Sequence, residues 1–462
     1  MTDELRDHCG VVGIFGHAEA SKLTYLALYA LQHRGQDSAG IVSKCGDIWS
    51  RHAGVGLVAD VFNETTLESL KGDSAIGHVR YTTAGTAGLK DAQPLLVKTG
   101  HGYFSVAHNG NLVNAAALRD EMEKAGNIFQ TDADTELFCH LYAQSRETDV
   151  VKRLKQALTR VSGAYSLCIL TEDGLIGIRD PYGVRPLALG RLDNGYVLAS
   201  EDCAFDLIDA KRVREIEPGE IVVINGNGIR SEHFSVPGES RRAQCIFEHV
   251  YFARPDSHPF GISAYASRMA LGEELAKEAP VKADVVIAVP DSGVIAAMGY
   301  ARALGLPFES GLVRNHYVGR TFIEPESRIR HFGVRLKLSP VRSVVENRRL
   351  VVIDDSIVRG TTSRKIVKMI RQAGAREIHL RVAAPRTLYP CYYGIDTPER
   401  SELIAATHSL EEIRRFLEVD SVEYLSIDGM HRAVENAARE KTSGRIRKQM
   451  CDACFSGDYP IK

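Results

Sequence analysis

No apolar run in this 462-residue chain approaches the length of a bilayer crossing, which argues against a membrane-spanning helix. Charge of one sign is also lacking. With 57 Lys and Arg against 59 Asp and Glu, the net charge is −2, and no basic surplus argues for nucleic acid. Internal repeats and low-complexity tracts are missing, and the opening MTDELRDH has no apolar core of the kind a secretory signal needs. A reducing cytoplasm is therefore the expected compartment. The nine cysteines are then expected to be buried, catalytic or metal-binding rather than disulfide-bonded. What is present is an ordinary globular composition, 44% apolar and 25% charged, in a chain long enough for two or three domains.

The two halves are patterned differently. Up to about residue 240, short β-branched or alternating runs such as CGVVGIFG, YFSVAHNGNLV and AYSLCILTEDGLIGIRD are bounded by glycines. Helical periodicity appears in SKLTYLALYALQHRG and DADTELFCHLYAQS, and again in TDVVKRLKQALTRVSG, which the pattern ends on Gly163 in the C′ manner. This mixture predicts layered antiparallel sheets with helices outside. The turn-rich, charged residues 217–244 mark the boundary. From about residue 260, continuous apolar strands alternate with amphipathic helices, which predicts a parallel sheet covered on both faces. A helical tail is expected from about residue 408.

The stretch VVIDDSIVRGTTS, residues 351–363, carries the most specific chemistry. Val351, Val352 and Ile353 read as a buried strand, so Asp354 and Asp355 fall at its carboxyl edge, where parallel sheets bind ligands. Exposed amides at the following helix start, with the hydroxyls of Ser356, Thr361 and Thr362, suit a phosphate monoester. Paired carboxylates beside that cradle suit ribose hydroxyls and a hydrated Mg²⁺, although a lone Asp-Asp is explained as well by helix capping. Upstream, VPDSG at 289–293 closes the preceding strand. Between the two, residues 314–340 are rich in Arg, Lys and His, as a solvated loop or as a lid over a polyanionic substrate; the placement favours the lid.

Two cysteine sites raise questions of their own. Cys9 lies between a charged octapeptide and the apolar run that opens the first strand. Either it is a small buried residue, or the leader is removed and Cys9 becomes the amino terminus. Near the other end, Cys451 and Cys454 stand in CxxC spacing, which alone fits zinc, a redox pair or nothing; spacing does not select further ligands.

Taken whole, residues 351–363 resemble the phosphoribosyl pyrophosphate (PRPP) motif of type I phosphoribosyltransferases. The resemblance implies that Asp354 and Asp355 contact ribose and Mg²⁺, and that Ser356, Gly360, Thr361 and Thr362 hold the 5-phosphate. It makes VPDSG a pyrophosphate loop with Ser292 near the metal. The amino-terminal half resembles glutamine amidotransferases of the N-terminal-nucleophile class, on CGVVGIFG, LQHRGQDSAG, GHVRYTTAG, HNGNLVN and DADTE. That resemblance implies a Cys9 thiolate served by its own freed α-amine as base. It further implies an oxyanion hole from the Asn109 amide and the Gly110 N–H, with Arg80 gripping the glutamine carboxylate and Asp134 its ammonium. An amine held in a peptide bond cannot act as a base, so residues 1–8 are expected to be a propeptide.

RDPYGVRPLALG and SEDCAFD complete a whole-chain resemblance to the amidotransferase family of purine synthesis that joins this glutaminase to a PRPP site. Within it, Cys245 and Cys391 match the subtype that holds a [4Fe–4S] cluster with Cys451 and Cys454, in a structural role. Cys45, Cys139, Cys168 and Cys203 are left as core thiols. The family implies glutamine and PRPP as substrates, internal transfer of ammonia, purine nucleotides as feedback inhibitors and a homotetramer, with neither nucleic acid nor membrane as partner. The expected fold is mixed α/β and α+β in two domains. An αββα glutaminase sandwich covers 9–240, a parallel α/β phosphoribosyltransferase sheet 241–407, and a helical tail with cluster cysteines 408–462. The alternatives are a regulatory PRPP-binding protein with an inactive glutaminase half, or a glutamine-dependent phosphoribosyltransferase with another product.

Overall fold

The structure, a computed structural model, describes residues 6–7, 9–81, 88–235, 241–315, 337–397, 399–438 and 446–461. Most of the leader, residues 82–85 of the GHVRYTTAG stretch and most of the expected lid therefore lie outside the described residues.

The amino-terminal half is two antiparallel sheets packed face to face. At the middle of the seven-stranded sheet lies Gly10–Phe15, flanked by Tyr196–Ala199 and by Ser74–Arg80. The six-stranded sheet is centred on Gly163–Thr171, beside Gly102–Leu112 and Gly174–Arg179. Period-two alternation explains the layering. Val11 points into the cluster between the sheets with Ala107, Leu175 and Leu198, while Val12 and Ile14 point outward against the helix Ala20–Ala30. On the far side, helices Glu136–Gln144 and Val150–Leu158 cover the second sheet through Leu137, Tyr142 and Leu154. The result is an αββα sandwich. One expected helix end is corrected: Val150–Leu158 is capped by Thr159, and Gly163 opens the next strand instead. The residues between are too few for both a C′ glycine and a strand start.

Past a final hairpin, Glu220–Asn225 with Gly228–His233, the chain enters a parallel sheet ordered Val285–Ala288, Arg349–Asp354, Glu377–Val382, Ser421–Tyr424. Alternate residues again sort to two faces. Val351 and Ile353 join one core with Val286 and Ala288, and Leu350 and Val352 join the other with Val285 and Ile287. The fourth strand lies inside the segment expected to be a helical tail. Its four residues hydrogen-bond along Glu377–Val382 and bury only Val422, which is too short a pattern to read as a strand in isolation. Helix Ile427–Ala437 follows, tied to helix Ala264–Glu278 by Arg432 and Glu274 at 3.0 Å. Among the described residues, no helix is long and apolar enough to cross a membrane.

Candidate active sites and thiol cluster

Cys9 sits one residue before the central strand of the first sheet, 7% exposed, with φ of +64°. A left-handed backbone is unfavourable for a non-glycine residue and is held only where the surroundings impose it. Here the Cys9 N–H donates to the Arg34 carbonyl at 3.1 Å, which turns the backbone away from the β ladder. Arg80 ends the neighbouring strand, where Gly10 pairs with Val79, so its guanidinium lies at the same sheet end as Cys9. It is buried and reaches the fully buried Asp91 at 3.6 Å.

The second sheet brings the remaining groups. Asn109 is fully buried; its Nδ2 donates to Ser200 Oγ at 3.5 Å, and that hydroxyl accepts from the Val11 N–H at 3.0 Å. Asn109 is thereby held two residues along from Cys9, with Oδ1 lacking a hydrogen-bond partner among the described residues. It is Nδ2 that retains donor capacity for an incoming oxygen, because only the long bond to Ser200 engages it, whereas Oδ1 can only accept. Gly110 has φ of +143°, and a Cβ there would meet the Ala164 carbonyl at 2.0 Å, so no side chain fits. Asp134 accepts from the Leu112 N–H at 3.0 Å and faces His108 Nδ1 at 3.4 Å. Burial works against its charge, but His108, the Leu112 N–H and the Thr135 hydroxyl outweigh it and hold the carboxyl below its ordinary range. Sequence reasoning missed Asp91 and gave no role to Ser200, although SEDCAFD begins on it. Asp91 ties Arg80 to the Asp132 N–H at 2.9 Å, and Ser200 ties Asn109 to the nucleophile strand. No pattern at either position names its partners, because Asp132 lies 41 residues from Asp91 and Asn109 lies 91 residues from Ser200.

In the second half, strand Arg349–Asp354 ends on the two carboxylates, each 7% exposed. Asp354 accepts from the Asp355 N–H at 3.1 Å and from Ser363 at 3.4 Å, and Ser356 donates to Asp355 at 2.6 Å. Gly360, at φ +76°, caps the twelve-residue helix Thr361–Gln372. That left-handed turn favours glycine and presents the first helical amides beside Thr361 and Thr362. The VPDSG loop joins this site through the Val289 N–H, which donates to the Ile353 carbonyl at 2.8 Å, placing Ser292 on the same sheet edge. Carboxylates and hydroxyls converging at one edge are the hard oxygen donors that Mg²⁺ takes.

The four expected cluster cysteines also converge. Cys245 pairs with Cys451 across a short parallel ladder, and the Cys454 carbonyl accepts from the Leu388 N–H at 3.0 Å, just ahead of Cys391. Burial pushes the Cys245 thiol up to about 12, with Cys391 adding to the rise. Burial, then Cys391, Cys245 and Cys451, push Cys454 well above its ordinary value. Among the described residues, no group of three or more His, Cys, Asp or Glu side chains forms a set poised on a single metal ion. Thiols are soft donors, of the kind that zinc and iron–sulfur clusters take once deprotonated. Of the thiols assigned to the core, Cys139, Cys168 and Cys203 are buried. Cys45 is exposed because it ends its strand at the Gly46 hairpin turn.

Residues 78–206 match the family model described as a glutamine amidotransferase domain, and residues 264–393 match a phosphoribosyl transferase domain. The fold is thus that of a glutamine amidotransferase joined to a phosphoribosyltransferase. The chain is 53% identical to "Amidophosphoribosyltransferase 1, chloroplastic" of Arabidopsis thaliana, over 99% of this chain and 79% of that one. It is 48% identical to the amidophosphoribosyltransferase of Bacillus subtilis, over 99% and 95% respectively. A solved structure of the B. subtilis glutamine PRPP amidotransferase, complexed with ADP and GMP, matches with a TM-score of 0.91 at 47% identity over 98% of both chains. The chain belongs to the amidophosphoribosyltransferase family, pentosyltransferases whose reaction is the glutamine-dependent amination of PRPP, the first step of purine biosynthesis.

Proposed function

We propose that this chain hydrolyses glutamine at Cys9 and passes the ammonia internally to the site at Asp354 and Asp355. There the ammonia displaces pyrophosphate from C1 of PRPP to give 5-phosphoribosylamine. The observation that carries this reading is the presence of both constellations in one chain, the first gathered from four segments and the second from one strand and turn beside the VPDSG loop. In the first half, the Cys9 thiolate attacks the amide carbon. Asn109 and the Gly110 N–H hold the oxyanion that develops only in the tetrahedral state. Arg80 takes the α-carboxylate and Asp134 the α-ammonium. The freed Cys9 amine, having taken the thiol proton, passes it to the departing ammonia, and water then releases glutamate from the thioester. Since that amine exists only after the bond before Cys9 is cut, residues 1–8 act as a propeptide. Internal transfer matters because water protonates ammonia at neutral pH and removes its lone pair.

In the second half, Ser356, Gly360, Thr361 and Thr362 cradle the 5-phosphate, and Asp354 and Asp355 hold the ribose hydroxyls. These carboxylates, with Ser292 near, would hold Mg²⁺, which supplies positive charge against the leaving pyrophosphate. Residues 314–340 serve as the lid. Cys245, Cys391, Cys451 and Cys454 would hold a [4Fe–4S] cluster that fastens the carboxyl-terminal segment to the body and takes no part in the chemistry. The proposed glutaminase domain covers 9–240, and the phosphoribosyltransferase domain begins at 241 and extends past 407 to take in the strand Ser421–Tyr424, ahead of the segment with Cys451 and Cys454. Purine nucleotides are proposed as feedback inhibitors, consistent with the ADP and GMP bound in the B. subtilis relative. A homotetramer in the cytoplasm is proposed, although several plant relatives carry chloroplastic names.

The test is glutamine-dependent and ammonia-dependent pyrophosphate release on one preparation, with the amino-terminal mass and the iron and sulfide content measured beside it. Both activities in a chain that begins at Cys9, yielding phosphoribosylamine, are expected. Full glutamine-dependent activity in a chain that begins at Met1 would overturn the proposed base.

A further inference from the structure

Two stretches singled out in the sequence, LQHRGQDSAG and SEDCAFD, and the residues that follow Cys245 find a common use in the structure that the proposed chemistry does not account for. Arg34, in the short 3-10 turn Gln32–Arg34, is the residue whose carbonyl accepts from the Cys9 nitrogen. Its side chain is fully buried between two carboxylates. One guanidinium edge bonds Glu201, which follows the strand Tyr196–Ala199 of the same domain. The other edge bonds Glu248, which opens the π-helix Glu248–Phe252 on the phosphoribosyltransferase side. Glu248 in turn takes Arg185 at 3.2 Å. Arg34, Arg185, Glu201 and Glu248 all have side chains with no exposed surface.

The π-helix is itself pinned. Arg268, on helix Ala264–Glu278, donates to the carbonyls of His249, Tyr251 and Ala253 at 3.1, 2.7 and 2.6 Å. Isolated π turns recur at functional positions because their backbone needs such outside support. Burial lowers the Arg268 guanidinium, and the charges of Asp355, Glu201, Tyr251 and Glu248 act against that.

Charges removed from water hold position only where every partner is in place, and losing one partner leaves the other stranded. We propose that Glu248 is a positioning residue for amide hydrolysis. From the phosphoribosyltransferase side it fixes the Arg34 side chain, and with it the main-chain carbonyl that orients the Cys9 nitrogen. The glutaminase base is thus held in line by a carboxylate of the other half. The inference rests on the reading of Cys9 as nucleophile and base.

The experiment is steady-state glutamine hydrolysis and ammonia-dependent PRPP amination by full-length Glu248→Gln, with rates normalised to the fraction of chains that begin at Cys9 by mass. A small misplacement of a reacting group lowers turnover by about 10- to 100-fold, and that loss is expected in kcat for glutamine hydrolysis. KM for glutamine stays within about twofold, because the groups that grip the substrate are untouched. Ammonia-dependent amination is expected to be unchanged. Unaltered glutamine kcat, a loss confined to KM, or a parallel fall in both activities would each overturn the proposal. Should Glu248→Gln fail to accumulate as soluble protein, Glu248→Asp, which keeps the charge on a shorter arm, must give the same split at smaller size. Cys9→Ala separates the two readings: glutaminase that survives it removes the premise, whereas glutaminase that dies with it beside a normal Glu248→Gln removes only this inference.

Discussion

The two halves assemble their chemistry in opposite ways. In the amino-terminal sandwich, Cys9, Arg80, Asn109 and Asp134 come from four separate segments and both sheets, and Asn109 is fully buried. In the carboxyl-terminal sheet, one strand and the turn after it supply Asp354, Asp355, Ser356, Gly360 and the helix amides, with only the VPDSG loop added from outside. Acyl transfer needs donors fixed in a dry site before charge develops, which a sandwich interior provides at the cost of long-range assembly. A phosphate cradle uses main-chain amides that a strand-to-helix turn presents, so it can be written in one stretch of sequence. The difference predicts that the first site fails through loss of position and the second through loss of charge.

Cys9→Ala and Asp355→Asn break that contrast most sharply. Cys9→Ala is expected to lower glutamine-dependent amination by roughly 10³-fold or more while ammonia-dependent amination persists. Asp355→Asn is expected to lower both by about 10²-fold, since either nitrogen source meets the same PRPP site. Equal losses in both assays for Cys9→Ala would erase the distinction. Next in size, Asn109→Ala should reduce glutamine kcat by about 10²- to 10³-fold with little change in KM, the signature of a group that acts only on the oxyanion. A pure KM effect would move Asn109 from transition-state contact to substrate grip.

Smaller effects sharpen the comparison in stability. Gly360→Ala puts a Cβ at 3.0 Å from Ile404 and forces a left-handed alanine, for a loss of about 1 kcal/mol in urea unfolding together with a raised KM for PRPP. The smallest concerns Asp134, whose carboxyl is held below its ordinary range. A depressed folded-state pKa contributes stability that is fully present above the unfolded value near pH ~3.9 and is lost as pH falls through the folded one. The stability difference between the wild type and Asp134→Asn should therefore be constant near neutrality and shrink below about pH 4. A gap that persists at pH ~2 would mean Asp134 acts through shape, not charge.

The parts whose partners lie close along the chain could be read before any fold was known. These are the Val351–Asp355 strand edge, the Gly360 turn into its helix, the CxxC pair and the change from antiparallel to parallel patterning. Period and turn chemistry are local, so they survive without a fold. Features that depend on distant segments meeting emerge with the fold. Asp91 anchors Arg80, and Ser200 links Asn109 to the strand of Cys9. A four-residue strand at Ser421–Tyr424 completes the sheet because a neighbour offers it an edge. Arg34 and Glu248, 214 residues apart, share one buried contact across the two halves. A charge in sequence carries no sign of its partner; burial chose these pairs, because a charge taken out of water must find one.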